Sequence, residues 1–227
     1  QYVNDYEGLR LVSECFAEDI KMVSDADLDI VVDNTKLKGS VIIAGSVDNN
    51  MLINKLVQEG KLNVDEIRGK WEVYKIDVVE NPFDGVDKAL VITGSDKRGT
   101  MYGLFSISEL MGVSPWVYWA DVNPVKKDEI SFKYSEIRTV SKEPSVKYRG
   151  IFLNDEEPSL GTWVNNKFKT TSGGKFNENF YEHVFQLLLR LKANYMWPAM
   201  WNSSFGADGV AFPEASAELA DTYGIVM

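Results

Sequence analysis

The chain has 227 residues, 44% of them hydrophobic and 26% charged, an ordinary globular composition that predicts a packed core rather than disorder. Its 34 Asp and Glu outnumber its 24 Lys and Arg, and a net charge of −10 repels a phosphate backbone, which sets nucleic acid aside as a partner. The single cysteine, Cys15, excludes an intrachain disulfide and a Cys-rich zinc site, and no run nears the roughly 18 apolar residues that cross a membrane.

The opening residues, Gln1-Tyr2-Val3-Asn4-Asp5, carry neither an initiator Met nor the basic and apolar regions of a signal peptide, so processing or truncation is expected. From Gly8 to Val23, the spacing of Leu9, Val12, Phe16, Ile20 and Val23 predicts an amphipathic helix. Short apolar runs at 28–32 and 40–44 predict buried strands, and Met51 to Gln58 a short helix capped by Asp48. Alternation from Trp71 to Val79 predicts a strand, Asn81 to Gly85 a turn, 88–93 a further strand and Arg98 to Met111 the helix behind it. These elements make an α/β domain over 1–144, closed by a polar, Pro-punctuated stretch from Val122 to Pro144.

Beyond it the pattern becomes strand, loop, helix, strand, loop, helix. Lys147 to Leu153 reads as a strand, followed by a Gly- and Ser-containing loop to Lys175. Asn177 to Ala193 is a helix with Phe180, Val184, Leu187, Leu188 and Leu191 on one face. Asn194 to Met200 is a second strand, Pro213 to Tyr223 a helix, and Gly224 to Met227 the opening of a third strand. Successive βα units predict a parallel sheet or barrel. A (β/α)8 barrel takes about 250 residues, far more than follow position 145, so the chain is expected to stop inside the fold.

In parallel α/β folds, ligands lie beyond the carboxyl ends of the strands. The first strand of the second half runs into Asn154-Asp155-Glu156-Glu157, and sugar hydrolysis needs two carboxyl groups. Adjacent residues of an extended strand point to opposite sides, so Asp155 and Glu156 cannot both serve one pocket; a solvated acidic loop is the plainer alternative. The second strand ends in Trp197-Pro198-Ala199-Met200-Trp201-Asn202, whose indoles suit either sugar stacking or packing at the rim. Gly94 to Thr100 joins a strand to a helix start that can hold an anion, although a structural turn is the plainer reading. His183, the only histidine, lacks a partner His or Cys nearby in sequence and reads as a helix-surface residue.

Several of these stretches together resemble glycoside hydrolase family 115. They are Gly94-Ser95-Asp96-Lys97-Arg98-Gly99-Thr100-Met101-Tyr102-Gly103, Gly112-Val113-Ser114-Pro115-Trp116, Trp119-Ala120-Asp121-Val122, Tyr148 to Glu156, Leu187 to Trp201, and Tyr223 to Met227. The resemblance implies xylan α-1,2-glucuronidases that remove (4-O-methyl)glucuronic acid from glucuronoxylan with inversion, without cofactor or metal. It implies a small hexosaminidase-like α/β domain (1–144) before a (β/α)8 TIM barrel, of which 145–227 would be the first two βα units. It puts Asp155 at the pocket as the catalytic carboxylate, with Asn154, Glu156, Trp197 and Glu109 as substrate contacts. It departs from the family in lacking the His-His-Glu-Pro segment expected just beyond this point. The expected partners are glucuronoxylan or its oligosaccharides, with no nucleic acid and no membrane, in a homodimeric parent working in the periplasm or outside the cell. Two other readings remain: a carbohydrate-binding pseudo-enzyme, and a hexosaminidase-like hydrolase of another family.

Overall fold

The computed structural model describes residues 5–31, 37–168 and 176–227. It divides into two compact units, Gln1–Ser145 and Val146–Met227.

In the first unit, α1 (Glu7–Ser24) buries Leu9, Val12, Phe16, Ile20 and Val23, the face their spacing predicts. Strands β1 (Gly39–Ser46), β2 (Tyr74–Phe83), β3 (Val86–Gly94) and β4 (Thr139–Val140) form one sheet in the order β1-β3-β2-β4. β1 is parallel to β3, whereas β2 is antiparallel to β3 and β4. Because side chains alternate across a strand, Ile43, Val79, Ala89 and Val91 share one face. They join Ile53 and Leu56 of α2 (Met51–Gln58) in a buried cluster. Against β3 lies α3 (Lys97–Met111), so closely that a Cβ on Gly103 would come within 2.7 Å of the Ile92 methyl, and the short α4 (Tyr134–Ile137) precedes β4.

Three local expectations need correction here. Residues 28–31 form no strand, and Leu28 and Ile30 remain exposed; Val32 lies outside the described residues. A short apolar run becomes a strand only where a sheet edge receives it, and 39–46 takes the place beside β3. The cap of α2 is Asn50, whose Oδ1 accepts from the N–H groups of Leu52 (3.0 Å) and Ile53 (3.2 Å). Asp48, at a φ of 70°, pairs with Arg68 instead. The expected turn at 81–85 is shorter, because pairing continues to Phe83 opposite Val86 after a register shift, with Gly85 at a φ of 83°.

The second unit holds two parallel strands, β5 (Gly150–Phe152) and β6 (Tyr195–Trp197), and Val226 bridges Tyr195 in parallel on the far side. Helix α5 (Leu160–Phe168) occupies part of the stretch expected to be loop; Leu160, Val164 and Phe168 recur every four residues, a helical signal in an otherwise polar run. Helices α6 (Glu178–Arg190) and α7 (Ala215–Tyr223) follow β5 and β6 and pack together, with the Tyr223 hydroxyl 2.8 Å from Glu182. Phe176, Phe180, Tyr181, Phe185 and Tyr223 form an aromatic core on the helix side. Met196 is buried, whereas its strand neighbours Tyr195 and Trp197 point to the opposite, less covered face.

Much of the motif that carries the family resemblance serves this pairing. The Arg149 N–H donates to Asn194 Oδ1 (3.0 Å), Asn194 Nδ2 donates to the Lys147 carbonyl (2.9 Å), and Arg149 Nε donates to the Lys192 carbonyl (2.9 Å). At Gly150 a Cβ would fall 1.7 Å from the Tyr195 carbonyl oxygen, so only glycine lets the strands approach this closely.

Candidate functional site

The carboxyl ends of β5 and β6 lie side by side, with Phe152 opposite Trp197 and the Leu153 N–H donating to the Trp197 carbonyl (2.9 Å). In a parallel pair, opposed residues point the same way, and the Phe152 and Trp197 rings meet edge to face at 6.0 Å and 88°. Both side chains are 53% exposed. They leave an indole face at the strand ends, suited to the apolar C–H face of a sugar ring.

Immediately beyond, Asn154 Oδ1 accepts from the Glu156 N–H at 2.9 Å, a local turn that swings the chain off the strand. Asn154 and Glu156 are both exposed. Asp155 between them is 0% exposed. Its Oδ1 accepts from the Trp201 N–H (3.2 Å), and its Oδ2 accepts from the N–H groups of Asn202 (2.6 Å) and Ser203 (2.7 Å). Its carbonyl accepts from Asn202 Nδ2 at 3.3 Å. Both oxygens of the Asp155 carboxylate are thus occupied by main-chain donors of 201–203 within this unit. Glu156 is the residue of the pair that turns outward.

Beneath this turn lies Tyr181, fully buried on α6. Burial first, and then the Asp155 and Asp208 carboxylates, raise its hydroxyl well above its ordinary value, against the opposing N–H of Ala199, so it stays protonated. The segment after β6 is held at further points. Phe176 N–H donates to Ser203 Oγ (2.9 Å), and the Glu178 carboxylate accepts from Val210 (2.8 Å) and Ala211 (2.8 Å). Phe205 packs edge-on against Tyr181 at 4.8 Å. Trp201 rides on this segment 70% exposed.

The second unit thus gathers Asn154, Asp155, Glu156 and Trp197. Glu109 belongs to the first unit, exposed in the last turn of α3, where its carbonyl accepts from Gly112 (2.9 Å). The helix start after Gly94 is supplied with its own anion: Asp96 caps α3 by accepting from Gly99 (2.8 Å), and its other oxygen accepts from the Glu72 N–H (2.8 Å). His183 is half-buried on α6 with its ring 5.9 Å from Phe168, and burial lowers its titration below the ordinary value. Among the described residues, no group of three or more His, Cys, Asp or Glu is placed to hold a metal ion, and no helix is long and apolar enough to cross a membrane. The part played by Ser203 left no mark in the sequence, because it meets Asp155 only through tertiary contact, from 48 residues away.

Comparison with known proteins gives a family match and a structural one. The model of "Glycosyl hydrolase family 115" matches residues 141–227. A solved structure described as a novel family GH115 4-O-methyl-alpha-glucuronidase, BtGH115A, with specificity for decorated arabinogalactans, is similar with a TM-score of 0.79 and 32% identity over 99% of this chain. The present chain spans 27% of the length of that relative. No curated protein matches.

Proposed function

The chain belongs to glycosyl hydrolase family 115, and from that premise we propose that the protein removes (4-O-methyl)glucuronic acid side chains from glucuronoxylan by an inverting, two-carboxylate mechanism. The observation that carries this reading is the similarity to a 4-O-methyl-alpha-glucuronidase along nearly the whole chain. The strand ends of the second unit supply chemistry that suits a sugar: an exposed indole at Trp197, carboxamides at Asn154 and Asn202, and an outward carboxylate at Glu156.

Inversion needs one carboxyl group to protonate the leaving oxygen and another, about 6.5–9.5 Å away, to activate water. In this reading, the 145–227 segment is the opening of a (β/α)8 barrel, and Glu156 is the carboxylate it offers directly to substrate. Asp155 belongs to the same strand end but acts behind it. Glu109 stands as the first unit's proposed substrate contact, a role its exposure permits. A polymeric substrate favours a periplasmic or extracellular setting.

A second backbone has a specific observation behind it, since the similar solved protein is specific for decorated arabinogalactans. The test is to incubate the protein with 4-O-methylglucuronoxylan and with decorated arabinogalactan and to follow the released sugar by NMR. Release of (4-O-methyl)glucuronic acid, with the β-anomer appearing first, is the expected result, and the faster polymer identifies the backbone. Release of no uronic acid from either polymer would overturn the proposal.

A further inference from the structure

Two unfavourable features meet at one point of the second unit. A carboxylate is fully buried, which is costly unless its lone pairs are matched, and a tryptophan is left 70% exposed, which forgoes the stabilisation of burying an indole. The same hydrogen bonds join them, because Asp155 accepts from Trp201, Asn202 and Ser203 in succession. Here the main chain is held from within while the ring is held out.

We infer that Asp155 is a positioning residue: by clamping the 201–203 N–H groups it fixes Trp201 as a stacking surface, additional to Trp197, for a further sugar of the glycan. The inference rests on the proposed function for the identity of the ligand, but the clamp itself rests on geometry alone. The fit to a sugar is chemical. A pyranose ring presents an apolar C–H face to an indole and its hydroxyls to neighbouring amides, and Asn202 stands next to Trp201 with its own exposed side chain. Rigidity adds to this, because a ring already held in place loses little freedom on binding. The further anchors at Phe176–Ser203, Glu178–Val210 and Tyr181–Phe205 keep the segment from relaxing around the clamp.

The test combines amide exchange with binding of a 4-O-methylglucuronic acid-bearing xylo-oligosaccharide, followed by tryptophan fluorescence. In Asp155→Ala, and less so in Asp155→Asn, which keeps shape and one acceptor oxygen, exchange at 201–203 should rise by about tenfold or more while α6 stays protected. Trp201→Ala, a surface change, should leave exchange unaltered and weaken binding about five- to tenfold. Because Asp155 acts through Trp201, the Asp155→Asn, Trp201→Ala double variant should bind no more weakly than Trp201→Ala alone, which a merely structural role would not produce. Unchanged exchange at 201–203 in both Asp155 variants would overturn the clamp. Wild-type affinity in Trp201→Ala would overturn the stacking role. Failure of the wild type to bind any glucuronic acid-decorated glycan would instead overturn the substrate reading, and the role of Trp201 with it.

Discussion

Glu178 repeats, at lower burial, what Asp155 does at the strand end. Burial alone would raise its carboxyl, but the N–H groups of Val210 and Ala211, with its own N–H, outweigh that and hold it below its ordinary value of 4.5. A carboxyl depressed in the folded state contributes stability that is complete above the unfolded value and is lost as pH falls through the folded one. Glu178→Gln should therefore lower the melting temperature of the second unit at pH 7, and the difference from wild type should vanish by about pH 3. A difference that does not change with pH would mean that the side chain's packing matters and its charge does not. Trp197 belongs to the same scale. An exposed stacking face binds ground and transition states alike, so Trp197→Ala should raise KM several-fold with kcat retained, as steady-state assays on glucuronoxylan would show. The identities of Asn154, Glu156 and Trp197 as strand-end residues were legible from the end of an apolar run. The inward turn of Asp155 was not, because the acidic run alone does not reveal which carboxylate meets main-chain donors elsewhere in the fold.

Among the elements, the β3–α3 junction shows how glycines permit a close main-chain approach at a helix start. Asp96 caps α3 and also ties Glu72, a residue at a φ of 54°, to the same turn. A Cβ on Gly99 would lie 2.4 Å from the Val73 carbonyl oxygen, and one on Gly94 would lie 2.1 Å from the Thr100 nitrogen. Asp96→Ala should cost about 1–2 kcal/mol in denaturant unfolding, and Gly99→Ala more, since main chain would have to move. Equal, small effects would show that the junction yields easily. Helices α1, α3 and α6 were readable because a long apolar stripe has only one period that fits it. The strand expected over 28–32 and the missed α5 fall where four to nine residues leave the period ambiguous, and there the neighbouring sheet edge or helix decides.

At the scale of the whole molecule, the two units differ in how much of their sheet is covered. The first buries its four-stranded sheet in the α2 cluster on one face and under α3 on the other. The second leaves Ile151, Phe152, Trp197 and Trp201 exposed on and beyond two short strands. Limited proteolysis should thus leave a resistant product ending near residue 145, with earlier cleavage inside 146–227. Uniform resistance along the chain would show that the second unit is as stable as the first.

The faces of the long helices and the parallel βα pattern follow from local composition and period, which act between residues a few positions apart. The family resemblance is likewise carried by contiguous blocks. Tertiary structure decided the rest: the Asn50 cap in place of Asp48, the necessity of Gly150, and the choice of Glu156 over Asp155 as the outward acid. Each of these depends on a donor, a carbonyl or a strand edge brought close only by folding. Asp155 meets Ser203 across 48 residues of chain, and no periodicity encodes a contact of that span.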